Sequence, residues 1–496
     1  MVLESLEPKV VWEIFEHVFS VTPRESKKED KIRAKLKSWI PERAESLGID
    51  ITLIEDDAGN ILIKRPASPG MESVPSLLFQ GHMDMVCETD RPDGFDFDNL
   101  PIPVRIQDNG EWVDADGTTL GADNAIGTSI ALAVLLDPNI ESGKLELLIT
   151  VDEETGLTGA FALDTEKLVI DSRLLVNIDS GDLGIITIGS AGGGDTTFKR
   201  SLRVYDHSGV ATFMEIVVTG LFGGHSGIDI HKHRGNANKL VARLLAPIVD
   251  EMDVHLCRWN GGSKHNAITR EATATFAVEL AKVERVDELL EKTRTDILAY
   301  FKELEPDIEI KWNVSPIEKI FSLEESKQII QSIDLLHQGP VKFSPNIKGL
   351  VETSNNVAVV ETNDSEMLVL MSTRSSVDAE LDEFRKKLAT IGQLTGWEVI
   401  QKPAYPGWNP EPGSSFIKFI SSHYEKFADK ELEIKAIHAG LECGIIGSKL
   451  PGMKMVAIGP TALNAHTPDE KVKISTVGVV YNLLVSIVKD LPNLKL

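Results

Sequence analysis

Between Ala125 and Leu136 the chain reads AIGTSIALAVLL, twelve residues without a charge. A helix of that composition has no polar face to turn toward water, so it must be covered on all sides. Short apolar runs stand ready to cover it: Ile49–Ile54, Ile61–Lys64 and Leu77–Phe79 before it, Leu145–Val151 and Leu174–Ile178 after it. Runs of this length read as strands. Val10, Val11, Ile14, Phe15 and Val18 recur at helical spacing, and a second amphipathic helix spans Glu25 to Leu47, with Gly48 placed to end it. Strands alternating with helices predict an α/β layer whose mixed sheet is mostly parallel, with helices on its flanks.

The texture changes near Gly181, where GDLGIITIGSAGGGD is rich in glycine. A first domain is expected over 1–190 and a second, α+β domain over 191–396. Within the second, FAVELAKVERVDELL from Phe276 and MLVLMSTRSSVDAEL from Met367 both read strand, loop, helix, with their Val-Asp pairs 91 residues apart. Asn266 and Asn356 stand at nearly the same offset. Duplication and the ordinary likeness of strand–loop–helix units both remain open. A further Pro/Gly-rich joint, YPGWNPEPG, begins at Tyr405. The tail over 397–496 is too small to stand comfortably alone, so it is expected to return to the first sheet, making the middle segment an insertion.

Charge excludes some partners. Lys plus Arg is 51 and Asp plus Glu is 76, a net charge of −25. Such a surface repels phosphate backbones and anionic head groups, so neither nucleic acid nor membrane is an expected partner. The N-terminal stretch, with Glu4, Glu7 and Glu13, does not read as a secretory leader. The stretch Thr476–Val488 looks too short to span a bilayer. Three scattered cysteines, Cys87, Cys257 and Cys443, form no CxxC pair and fit a reducing compartment. A cytoplasmic location is the expectation.

The polar residues fall where an α/β sheet collects function, just past the carboxyl ends of strands. SLLFQGHMD brings His82 and Asp84 to one such end, LELLITVDEE brings Glu153 and Glu154 to another, and LLVNIDS brings Asp179 to a third. Asp123 stands at the start of the apolar helix, and NAHTPDE, after the strand in MKMVAIGP, carries His466. Two imidazoles and five carboxylates in one place would repel severely without cations. Histidine mixed with carboxylates, and no cysteine, is the donor set of a zinc-type hydrolytic site, whereas carboxylates alone would suggest magnesium or calcium.

Seven segments in order, GHMDMVCE, TLGADNAIG, VDEETGLTGA, NIDSGD, GGHSGIDIH, NGGSKHNAI and NAHTPDE, resemble the two-metal exopeptidases and amidohydrolases related to aminoacylase and carboxypeptidase G. The resemblance covers essentially the whole chain. It implies a zinc-exopeptidase-like catalytic domain with an inserted lid domain, and two divalent ions per chain, zinc first, with cobalt or manganese as alternatives. His82, Asp123 and Asp179 would hold one ion and Asp123, Glu154 and His466 the other, Asp123 bridging. Asp84 would orient His82, and Glu153 would be the general base acting on a water shared by the ions. The peptide after the bridging Asp, here Asp123–Asn124, is often cis in the family. His225 would stabilise the oxyanion, while Asn266 and Arg374 would grip the substrate carboxylate.

The activity so implied is hydrolysis of unblocked dipeptides, with broad specificity that includes Xaa-His. An N-acyl-amino-acid deacylase or carboxypeptidase on the same scaffold stays open, as does an inactive metal or peptide binder, which the presence of Glu153 beside a full ligand set argues against. Monomer and homodimer are both compatible with the sequence. His231, Lys232 and His233 read as a solvated loop and Cys87 as a small buried filler. Glu442, in HAGLECGII, is expected near the substrate amine or a ligand's partner.

Overall fold

The computed structural model describes residues 2–207, 209, 211–363, 365–427 and 432–495. They form two compact units: Met1–Gly189 with Pro410–Ala436 and Leu441–Leu496, and Ser190–Asn409 with Ile437–Gly440.

The first unit is built on an eight-stranded sheet in the order Thr52–Glu55, Ile61–Arg65, Leu145–Thr150, Leu77–His82, Leu174–Asn177, Lys454–Ala457, Ile185–Ser190, Glu433–Ile437. The four central strands are parallel, while Ile61–Arg65 pairs antiparallel with both Thr52–Glu55 and Leu145–Thr150 on one side and Lys454–Ala457 pairs antiparallel with Ile185–Ser190 on the other. Leu77–His82, Leu145–Thr150 and Leu174–Asn177 are buried along their full length, which is why they read as continuous apolar runs rather than as alternation. Register aligns their carboxyl ends: His82 pairs with Thr150 and Gln80 with Asn177. The tail returns to this sheet through Lys454–Ala457, beside Leu174–Asn177.

The apolar helix, Ala122–Leu135, is buried at every position but Asp123. Gly127 lets it approach the sheet: a Cβ there would lie 1.9 Å from the carbonyl oxygen of Ile178. The C-terminal helix Ile474–Asp490 packs on it and on Ser415–Phe427. Among the described residues this C-terminal segment, 20 residues over Ile474–Asn493 with mean hydropathy 1.5, is long and apolar enough to cross a membrane by length and composition. It is therefore longer than the stretch ending at Val488. Val477, Val480, Leu483, Leu484, Ile487 and Val488 are spent on the protein core instead. A small sheet joins Ala462–Leu463 and Lys471–Lys473 to Trp112–Ala115 and Val104–Ile106.

The second unit contains a nine-stranded sheet whose main path runs Glu309–Val314, Ala211–Thr219, Ala272–Glu279, His255–Gly261, then Val351–Thr362, Glu366–Ser375, Gly192–Ser201, Glu398–Gln401. Numbered by position in their own half, the strands run four, one, three, two and then two, three, one, four. Each half carries two helices, Ala237–Glu251 with Val283–Phe301 and Leu323–Leu335 with Asp378–Leu394, whose buried faces share one core. The halves meet where Gly261 pairs with Val360. The first half is inserted after the first strand of the second. The Val-Asp pairs are not equivalent across this repeat: Val377 caps its helix, whereas Val286 lies inside one that begins at Val283. Nor are the asparagines, since Asn356 is within a strand and Asn266 precedes the short strand Ala267–Ile268. The strand Glu398–Gln401 pairs with Gly192–Ser201 and so extends the second sheet beyond residue 396.

Candidate metal centre

Parallel register delivers the site. His82 ends its strand, Glu153 and Glu154 follow the strand that ends at Thr150, Asp179 follows the one that ends at Asn177, and Asp123 opens the buried helix. His466 sits in the loop between the paired segments Ala462–Leu463 and Lys471–Lys473, in the left-handed region with φ of 67°.

Asp123 is the centre of the arrangement. Its Oδ1 lies 3.0 Å from His82 Nε2 and its Oδ2 lies 3.4 Å from His466 Nε2. His82 Nε2 is also 3.7 Å from Asp179 Oδ1, and His466 Nε2 is 2.9 Å from Glu154 Oε2. One donor atom each from His82, Asp123 and Glu154 lies within 4.8 Å of the others. Thus His82, Asp123, Glu154, Asp179 and His466, from five separate segments, converge. The Asp123–Asn124 peptide is cis.

Asp84 faces His82 from behind, its Oδ1 3.2 Å from Nδ1. It also accepts the Glu153 amide at 3.0 Å, the Glu154 amide at 3.2 Å and the Ser26 hydroxyl at 2.8 Å. Against the cost of burial, His82 and these donors hold its carboxyl down to about 2. An ionised Asp84 accepts the Nδ1–H hydrogen bond and fixes the ring with Nε2 toward Asp123. Burial pushes Glu153 up to about 8, with Glu442, Glu154 and Asp123 adding repulsion. Burial and Asp123 raise Asp179, while hydrogen bonds to Asp123 and Glu154 raise His466 to about 10.

The donor set suits divalent cations. Glu154 Oε1 is buried and has no hydrogen-bond partner among the described residues, a costly state for a carboxylate oxygen unless something positive meets it. The remaining donors satisfy one another as imidazole–carboxylate pairs and through a hydrogen bond between the Asp123 and Asp179 carboxyls, contacts that cations would replace.

Three residues not assigned from sequence complete the surroundings. Glu470 is buried and accepts the amides of Gly121 and Asp123. Arg24, also buried, donates to the carbonyls of Met83, Asp84 and Gly121. Gln80 donates to Glu442 Oε2 at 2.6 Å and accepts from Asn177 at 2.6 Å. Glu442 itself is buried, its Oε2 also taking the Thr150 hydroxyl at 2.8 Å, its Oε1 unpartnered among the described residues. Burial raises it to about 7. In sequence, Arg24 stands in the polar run TPRESKKED and Glu470 in the loop NAHTPDE, where a charge normally means solvent. Only the PDE after His466 offered a signal.

His225, Asn266 and Arg374 belong to the second unit. His225 Nδ1 accepts the amides of Gly227 and Ile228, each at 3.1 Å, so its proton resides on Nε2. The Asn266 carbonyl accepts the Ser226 amide. Arg374 is buried and donates from Nη1 to the Tyr405 hydroxyl at 2.9 Å. His231, Lys232 and His233 are exposed. Cys87 is half-buried rather than fully enclosed, and burial still lifts its thiol to about 12.

Comparison with known proteins places this geometry in a family. Residues 78–490 match the model of peptidase family M20/M25/M40, and the chain belongs to that family. It is 38% identical over 492 residues to the cytosol non-specific dipeptidase of Escherichia coli K12, covering 99% of each chain. The crystal structure of aminoacylhistidine dipeptidase from Vibrio alginolyticus superposes with a TM-score of 0.91 at 35% identity, covering 99% of this chain and 98% of that one. The aminopeptidase PepT from Bacillus cereus shares the fold at a TM-score of 0.55 and 17% identity, covering 98% and 99%.

Proposed function

We propose that the chain is a cytoplasmic two-metal dipeptidase that hydrolyses the peptide bond of unblocked dipeptides, Xaa-His among them. The observation carrying this reading is Asp123, whose two carboxylate oxygens face imidazoles from opposite ends of the sequence. The dipeptidase names of relatives that match nearly the whole chain support the substrate class. His82, Asp123 and Asp179 are assigned to one cation and Asp123, Glu154 and His466 to the other, zinc being favoured by the mixture of imidazole and carboxylate donors. When bound, the cations would supply the Lewis acidity that lowers the pKa of a water and polarises the scissile carbonyl.

The protein's own groups do the rest. Glu153 is assigned to take a proton from the attacking water and return it to the leaving amine, a role suited to a carboxyl whose burial raises its proton affinity above that of a free carboxylate. Asp84 keeps His82 in the tautomer that offers Nε2. Glu442 is assigned to the free amine of the substrate, because one of its oxygens is tied down by Gln80 and Thr150 while the other has no partner among the described residues. Arg374 and Asn266 are assigned to the C-terminal carboxylate, where a guanidinium fork suits two oxygens. His225, donating from Nε2, is assigned to the developing oxyanion.

The decisive experiment is elemental analysis of the purified protein combined with a panel of free dipeptides, N-blocked dipeptides and acetylated amino acids. Two divalent ions per chain and turnover of the free dipeptides are expected. Turnover of blocked substrates alone would make the chain a deacylase or carboxypeptidase instead.

A further inference from the structure

We propose that Glu470 and Arg24 are positioning residues that hold Asp123 in register with the two imidazoles, so that the cation sites are formed before any cation arrives. The inference rests on the two-metal reading above. Glu470 Oε2 accepts the Gly121 amide at 2.7 Å and its Oε1 accepts the Asp123 amide at 3.1 Å. Arg24 Nη2 donates to the Gly121 carbonyl at 2.5 Å, while Nη1 reaches the carbonyls of Asp84 at 3.1 Å and Met83 at 3.3 Å. The turn that presents Asp123 is therefore held from both directions, its N–H groups by a carboxyl and its C=O by a guanidinium.

These contacts tie three ligand-bearing segments together without using a ligand atom. Glu470 lies one turn beyond His466, so the Gly121–Asp123 turn cannot shift without moving the His466 loop. Arg24 joins the same turn to the segment carrying His82 and Asp84. Both side chains are about 1% exposed. A buried ionisable group requires partners, and each of these two has backbone dipoles of the ligand segments as its hydrogen-bond partners. Gly121 makes the approach feasible: it sits at φ of 66°, and a Cβ there would meet Arg24 Nη2 at 2.2 Å.

The test uses the full chain with Glu470→Gln and, separately, Arg24→Lys. A glutamine keeps the volume of Glu470, yet its NH2 must face one of two N–H groups. Zn2+ and Mn2+ affinities are read by chelator competition, stoichiometry by elemental analysis, and melting temperature with and without metal. Binding 10–100-fold weaker is expected, as for loss of a group that orients a ligand, together with a smaller metal-induced rise in melting temperature. Wild-type-like affinity in both variants, even with lowered stability or activity, would reduce the pair to ordinary fold support and overturn the proposal. A wild-type protein that binds no pair of ions would instead remove the two-metal reading itself. Should the variants not fold, amide exchange in the metal-free wild type decides. Slow exchange at Gly121 and Asp123 is expected there, and fast exchange that slows only on adding Zn2+ would refute a preformed turn.

Discussion

At the scale of single residues, the carboxylates around the centre differ in what they touch. Glu153 touches neither imidazole at salt-bridge distance, whereas Glu154 does. Glu153→Ala is therefore expected to keep both metals and lose turnover by about 10²–10⁴-fold; metal content and kcat measured on the same sample check this. Glu442→Gln removes the charge assigned to the substrate amine. KM for free dipeptides should rise roughly tenfold, while any residual cleavage of N-acetylated analogues stays level. An equal change for both substrates would take the amine away from Glu442. The donors were legible in the sequence because each polar group interrupts an apolar run at a strand end, a contrast that local pattern reveals. Arg24 and Glu470 lack that contrast. Their burial depends on segments that meet only through the fold, Glu470 reaching Gly121 across 349 positions.

At the scale of elements, the buried helix and the strands around it could be anticipated from hydrophobicity alone. The direction of the flanking strands could not, because antiparallel Ile61–Arg65 and parallel Leu77–His82 both read simply as short apolar runs. The repeat in the second unit was visible as a likeness but was misaligned, since Val-Asp falls at a helix cap in one half and inside a helix in the other. Gly127 offers a test of which effect governs the buried helix. Helix propensity would favour Gly127→Ala by about 1 kcal/mol. The contact at 1.9 Å to the Ile178 carbonyl forces the helix away from the sheet, and overpacking of this kind costs about 1–3 kcal/mol. Net destabilisation is expected in denaturant titration; a gain in stability would show that the helix yields freely.

For the whole molecule, stability and metal content are linked through protons. In the metal-free protein His466 is raised from 6.5 to about 10 by Asp123 and Glu154. The folded state then holds a proton that the unfolded chain releases. Its contribution is complete below pH 6.5 and is lost as pH rises toward 10. Half of the His466 side chain is exposed, so solvent tempers the size of the effect but not its sign. Thermal melts of metal-free protein should accordingly fall across this window. Metal-loaded protein should not follow, because its imidazoles are already neutral. Calorimetry in buffers of differing ionisation enthalpy should register proton release on metal binding near pH 7.

The five converging donors are scattered from His82 to His466, and the last of them stands in a hairpin fixed to a strand more than 300 positions earlier. A growing polypeptide therefore cannot assemble the full hydrolytic apparatus until its final stretch has emerged from the ribosome and folded back. A degradation fragment missing the C-terminal hairpin would lack His466 in the same way. An incomplete chain therefore lacks the converged donors.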